Sequence, residues 1–250
     1  MTGEEVKETV REHYGKIAIE GSSCCTSGCG CGDEVDLLSP PMNDTYQGYD
    51  KGILDAADLG LGCGAPTRFA DLKEGMTVLD LGSGAGIDVF IAAKQIGPTG
   101  VAIGLDMTEE MLERAERNRE KLGIQNARFL KGEIEDMPVD SASVDTILSN
   151  CVLNLVPDKG RAFSEMLRVL KPGGTFTVSD IVTEGTIPDD YRNDARLWSG
   201  CVSGAVEKAT YLRIIRDAGF NQIEVIGEKS YPAPDGVPFK ILSITVRARK

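Results

Sequence analysis

Val78-Leu79-Asp80-Leu81-Gly82-Ser83-Gly84-Ala85-Gly86, followed by the amphipathic run Ile87 to Ile96, reads as strand, tight turn and helix. Glycines at alternate positions permit backbone angles closed to other residues and let a ligand approach the main chain. The turn is therefore a candidate ligand seat, although a tight βα turn that binds nothing would have the same local pattern. A dinucleotide fingerprint, G-x-G-x-x-G, needs a third glycine three places after the second. Counting three places on from Gly82 or Gly84 gives Ile87 or Val89, so this pattern fails. What stands is D-x-G-x-G-x-G.

Composition narrows the partner. A chain of 250 residues can build one large α/β domain with appendages and needs no disulfide support. Its net charge of -12 argues against nucleic acid, whose affinity comes from Lys and Arg displacing counterions, and for a small molecule. No apolar run approaches the roughly 20 residues that span a bilayer, so no membrane partner is expected. Thr2-Gly3-Glu4-Glu5 lacks the basic-then-apolar order of a signal peptide, so a cytoplasmic location is expected. In a reducing compartment the 7 cysteines are not a disulfide framework. Four cluster at Cys24, Cys25, Cys29 and Cys31 within a Gly/Ser/Thr/Cys loop that cannot bury a core, and Cys63, Cys151 and Cys201 stand singly.

Along the chain, Val6, Val10 and Tyr14 suggest a short helix over 4–14 acting as a mobile or docking arm, and Ile53, Leu54 and Ala57 a helix before Gly60. Strands are expected at about 77–82, 100–106, 127–133, 144–150 and 174–181, with helices at about 86–96, 108–122 and 158–170. Thr108 is a suitable N-cap, Gly123 a suitable stop, and Lys171-Pro172-Gly173-Gly174 ends the third of these helices. Further helices are expected around Asp190 to Ser199 and at 207–218, then strands at about 221–229 and 239–248, the last near a sheet edge. Tyr231-Pro232-Ala233-Pro234-Asp235-Gly236 is turn chemistry. Alternating strand and helix means a parallel, doubly wound sheet.

In such sheets ligands bind beyond the carboxyl ends of the strands. The strand ends offer Asp80 and Gly82, then Asp106 and Met107 about 20 residues past the turn, where a carboxylate can accept from ribose hydroxyls. They continue with Glu133 and Ile134, with Asn150 and Cys151, and with Asp180. Cys63 precedes the first strand and Cys201 follows the fifth, so three thiols distant in sequence are expected at one end of one sheet. The lone histidine, His13, is expected to have no catalytic role.

The glycine turn resembles the first motif of class I S-adenosylmethionine (SAM) methyltransferases. That resemblance implies a Rossmann-like, seven-stranded α/β fold, mostly parallel with one antiparallel strand. It places SAM against Asp80, Gly82, Ser83, Gly84, Gly86, Asp106, Met107, Glu133, Ile134 and Asn150. Asp80 could equally brace the turn by accepting backbone N–H groups.

A closer resemblance covers nearly the whole chain. Val10-Arg11-Glu12-His13-Tyr14-Gly15-Lys16, Cys24-Cys25, Gly62-Cys63-Gly64, Ser149-Asn150-Cys151-Val152-Leu153-Asn154-Leu155 and Cys201-Val202-Ser203-Gly204-Ala205 are similar to motifs of the arsenite methyltransferases. The resemblance implies that Cys63, Cys151 and Cys201 bind trivalent arsenic, with Cys24 or Cys25 as a fourth thiol in substrate handling and disulfide exchange. The substrate is then arsenite or its thiol conjugate, and S-adenosylhomocysteine is a product. Methylation formally oxidises the arsenic, so a thiol reductant is required, a thioredoxin-like protein being a candidate partner. The chain divides on this reading into an N-terminal arm, Cys-rich loop and cover (1–65), a SAM-binding core (66–182), and an arsenic-site cover completing the sheet (183–250). Cys29 and Cys31 depart from the family pattern; they could capture metalloid, although C-C-x3-C-x-C lacks the C-x2-C pairs of a zinc site. The alternatives are a SAM-dependent methyltransferase of another small molecule, with structural cysteines, and a non-catalytic thiol-based metalloid-binding protein.

Overall fold

The computed structural model describes residues 2–20, 46–188, 203–231 and 239–250. Seven strands form one sheet: β1 (Thr77–Leu81), β2 (Val101–Asp106), β3 (Ala127–Lys131), β4 (Val144–Asn150), β5 (Leu170–Glu184), β6 (Asn221–Tyr231) and β7 (Lys240–Arg249), in the order β3-β2-β1-β4-β5-β7-β6. β1 to β5 pair in parallel, and β7 runs antiparallel to both β5 and β6. The order reverses between β1 and β4, which puts the switch point at the end of the glycine-bearing strand.

Helices cover both faces. They are α1 (Gly3–Glu20), α2 (Lys51–Ala57), α3 (Pro66–Phe69), α4 (Ile87–Ile96), α5 (Glu109–Leu122), α6 (Lys159–Val169) and α7 (Lys208–Asp217), with a 3-10 turn at Leu153–Leu155. Alternate residues of a strand feed opposite faces. Leu79, Leu81, Ile103 and Leu105 thus join Phe163, Met166, Phe176, Tyr211 and Phe220 in one core, while Val78, Ala102 and Leu148 join Phe90, Ile91 and Ala92 in the other. A third apolar cluster lies at the carboxyl end of the sheet and contains Cys63, Cys151, Val6, Val10, Ala205, Tyr231 and Ile241.

Some local expectations change. The first helix is no free arm: it runs to Glu20, buries Val6, Val10, Ile17 and Ala18, and packs on α5. β5 begins at Leu170, because Leu170 already pairs with Val144 and the Lys171-Pro172-Gly173-Gly174 segment is absorbed as an irregularity in the strand. β7 lies near an edge as expected, next to edge strand β6, yet six consecutive residues from Ile241 to Val246 are buried. Thr108 takes the N-cap position without capping through its side chain; Gly123 ends α5 in the left-handed conformation as expected. The helix expected around Asp190 to Ser199 and most of the Tyr231 to Gly236 turn lie outside the described residues.

Candidate active site

The glycine turn has the geometry its sequence demands. Gly82, Gly84 and Gly86 have φ of 63°, 50° and 95°, a region that disfavours side chains. Ser83 N–H donates to the Leu105 carbonyl (3.0 Å), tying the turn to β2. Asp106 braces it further: one carboxylate oxygen accepts from Gly84 N–H and the other from Thr108 N–H, both at 2.9 Å. Asp80 does not brace the turn, since among the described residues no hydrogen-bond donor reaches its carboxylate. The question left open by sequence is therefore resolved by Asp106 doing the bracing.

A single cleft opens beside this turn. Its wall includes Asp80, Gly82, Ser83, Gly84, Asp106, Met107, Glu133, Ile134, Asn150 and Cys151, and it encloses about 1140 Å³ of space, mouth included. Gly86 is not part of the wall; it serves as the N-cap of α4. Glu133 meets the first helix: Lys7 Nζ lies 2.7 Å from Glu133 and 2.6 Å from Glu135, and Arg11 is 3.8 Å from Glu133. Burial disfavours the charge on Lys7, but the two carboxylates outweigh it and raise its pKa. Lys7, Val10 and Tyr14 thus form one side of the cleft, a contribution of α1 that no local pattern in the sequence signals.

The cleft is acidic. Asp80, Asp88, Asp106, Glu133 and Glu135 line it, against Lys7 as the one basic residue in the wall. Asp80 has its pKa raised well above the usual range by burial and by neighbouring Asp88 and Asp106. Burial also raises Asp106, partly offset by the N–H groups it accepts. Ser83 Oγ is buried with no hydrogen-bond partner among the described residues. Exposed glycine backbone, an unsatisfied hydroxyl and carboxylates short of counter-charge fit a ligand carrying polar groups and positive charge, as the ammonium and sulfonium of SAM do.

Beyond the turn, Cys63 and Cys151 come together in the third apolar cluster, 6% and 3% exposed. Cys151 has φ of 62°, unusual for a residue with a side chain, and its N–H donates to the Ser179 carbonyl at 2.7 Å. The 3-10 turn that follows is pinned by buried Lys159, whose Nζ donates to the carbonyls of Asn154 and Val156. Both sulfurs lie near Tyr231, whose pKa is pushed up to about 12 by burial first and then by Cys63 and Cys151. The Cys63 carbonyl accepts from Ser243 Oγ at 2.8 Å. Asp180 stands apart from the cleft, its carboxylate accepting from Tyr211 (3.0 Å); burial raises its pKa to about 7.

Asn150 was expected among the cofactor contacts. It does face the cleft, but its amide is engaged by the Cys63 loop and by Tyr46. Tyr46 and Asp88 were not singled out by sequence at all. Asp88, an acid in the first turn of α4, is buried and accepts from Tyr46 (2.5 Å) and Thr67 (3.1 Å). Cys24, Cys25, Cys29, Cys31 and Cys201 lie outside the described residues. His13 is half-buried, which lowers its pKa, and it stacks edge-on against Tyr14 outside the cleft.

Comparisons with known proteins agree with this geometry. A family profile described as a methyltransferase domain matches residues 72–219. An arsenite methyltransferase of Halobacterium salinarum is 41% identical over 99% of this chain and 67% of its own length. The arsenite methyltransferase of Homo sapiens is 33% identical over 81% of this chain and 54% of its own. Among solved structures, an arsenic(III) S-adenosylmethionine methyltransferase from Chlamydomonas reinhardtii superposes with a TM-score of 0.71 at 33% identity, covering 85% of this chain and 74% of that one.

Proposed function

Because the chain belongs to the arsenite methyltransferases, a family of SAM-dependent enzymes, we propose that it transfers a methyl group from SAM to trivalent arsenic held by thiolates of Cys63, Cys151 and Cys201. The observation that carries this reading is the burial of two cysteines, Cys63 and Cys151, in one apolar cluster abutting the acidic cleft. Ala205, four residues after Cys201 in sequence, packs in the same cluster.

Asp80 is the group for the cofactor's ammonium, the bare turn from Gly82 to Gly84 for its amino-acid end, and Asp106 for the ribose, since each of its oxygens keeps a lone pair beyond the N–H it accepts. Met107 and Ile134 supply apolar wall toward the base. Bound SAM supplies an electrophilic methyl group and departs as S-adenosylhomocysteine.

The chain's own residues hold and orient the acceptor. Arsenic(III) bound by three sulfurs is pyramidal and keeps a lone pair at its apex, so the arsenic is the nucleophile and no general base is required. The wall of Val6, Val10, Ile181 and Ile241 keeps water from the thiolates. Forming the arsenic–carbon bond leaves arsenic formally pentavalent. Two thiols that close to a disulfide return two electrons to it, a role for Cys24 or Cys25, and an external thiol, with a thioredoxin-like protein as its natural source, reopens the disulfide. A cytoplasmic location suits this cycle, since it keeps the resting thiols reduced.

The chain spans 67% of the Halobacterium relative and 54% of the human one, so the reaction is assigned to the segment present here. The test is Cys151→Ser: arsenite methylation falls to background while SAM still binds. Full activity in that variant would favour a methyltransferase of another small molecule.

A further inference from the structure

Resting on the reading that Cys63 and Cys151 both bind arsenic, we infer that Asn150 is the positioning residue that sets the Cys63 sulfur relative to Cys151. Its Oδ1 accepts two adjacent backbone N–H groups, of Cys63 (3.0 Å) and Gly64 (3.1 Å). Its Nδ2 donates back to the Gly64 carbonyl (2.6 Å) and to the Tyr46 hydroxyl (2.7 Å). Only an amide satisfies this set. A carboxylate would face the Gly64 carbonyl with a second acceptor, and a hydroxyl has one donor where the Gly64 carbonyl and the Tyr46 hydroxyl take two. The two donors on one side and the carbonyl on the other also fix which end of the amide points where.

The glycines flanking Cys63 have their explanation here. Neither has a left-handed φ; both allow close approach instead. A Cβ on Gly62 would lie 2.6 Å from Asn150 Nδ2, and one on Gly64 would overlap the Ser179 side chain. Ser179 is itself paired with Asn150 across β4 and β5 and accepts the Cys151 N–H through its carbonyl. Asn150 and Cys151 are consecutive at the end of β4, so one strand end carries one thiol covalently and the other through three hydrogen bonds from Asn150 to the Cys63 loop. The amide is steadied from behind: Tyr46, which accepts from Asn150, donates to buried Asp88, and Asp88 also accepts from Thr67. Tyr46, Asp88 and Asn150 all line the cleft that Asp80 and Cys151 also line, so the same network borders the cofactor's seat.

The role predicts a selective effect. In full-length Asn150→Ala, the rate at which N-ethylmaleimide labels Cys63, read by peptide mass spectrometry, should rise about tenfold, as expected for losing one or two buried hydrogen bonds, while the Cys151 rate stays within about twofold. The KM for arsenite should rise about tenfold with a smaller change in kcat, and the Kd for SAM should stay within about threefold. Tyr46→Phe, which keeps the ring and the fold, should shift Cys63 labelling and arsenite KM in the same direction by about threefold and carries the test should Asn150→Ala not fold. Unchanged Cys63 labelling, equal acceleration at both cysteines, or weakened SAM binding as the sole effect would overturn the inference. Labelling involves no arsenic, so it stands apart from the functional reading. That reading fails instead if Cys63→Ser retains full arsenite methylation.

Discussion

Lys7 Nζ of the first helix lies 2.7 Å from the Glu133 carboxylate, joining residues 126 apart in sequence across the mouth of the cleft. With Glu135 as second partner, this pair holds α1 against the acidic wall where the cofactor is expected. Lys7→Met should therefore weaken SAM binding about tenfold by calorimetric titration, since it leaves buried Glu135 without its cation and Glu133 with Arg11 alone. An unchanged Kd would mean that α1 is a passive cover.

Gly82→Ala tests the turn. At φ of 63° a side chain is strained, and its Cβ would lie 2.5 Å from the Val152 methyls. A loss of about 2 kcal/mol or more in denaturant unfolding is expected, together with loss of SAM binding. Retention of both would mean that the backbone of the turn shifts freely, against the bracing by Asp106.

The left-handed backbone at Cys151 makes a further comparison informative. Cys151→Gly relieves the strain and Cys151→Ala retains it, so the Gly variant should be the more stable by about 1 kcal/mol, with both inactive. Equal stability would show that the conformation carries no strain.

Asp88 gives a pH dependence of defined sign. Its pKa is raised from 3.8 to about 6, by burial first, against the opposing hydrogen bonds from Tyr46, Thr67 and Asn150. The folded protein then binds more protons than the unfolded chain, so this contribution is full below pH 3.8, declines as pH rises, and is gone above about 6. At 1.36 kcal/mol per pH unit the interval amounts to about 3 kcal/mol. Relative to Asp88→Asn, the wild type should lose stability by that order between pH 4 and 6 and run parallel to it above. Parallel curves throughout would place the titration elsewhere.

The parts legible in the sequence were those with local chemistry. The glycine turn, the parallel sheet implied by alternating strand and helix, and the acids at the ends of β1 and β2 each follow from periodicity or from backbone angles that one residue type permits. The family motifs located both Cys63 and Cys151. What escaped was held by contacts between distant residues. Nothing near Asn150 says that its amide reaches back 87 residues to the Cys63 N–H. Nothing near Lys7 points to Glu133, and the start of β5 could not be read because Pro172 and two glycines look like a helix stop while Leu170 already pairs with Val144. The last strand lies near an edge as expected, with β6 alone beyond it.

The most direct test of the account is to incubate the protein with arsenite, SAM carrying a labelled methyl group, and a small-molecule dithiol, then separate arsenic species by chromatography with mass detection. The account expects labelled methylarsenicals formed together with S-adenosylhomocysteine, and neither product from Cys63→Ser or Cys151→Ser that still binds SAM. Tight arsenite binding with no methylated arsenic under any reductant would contradict it.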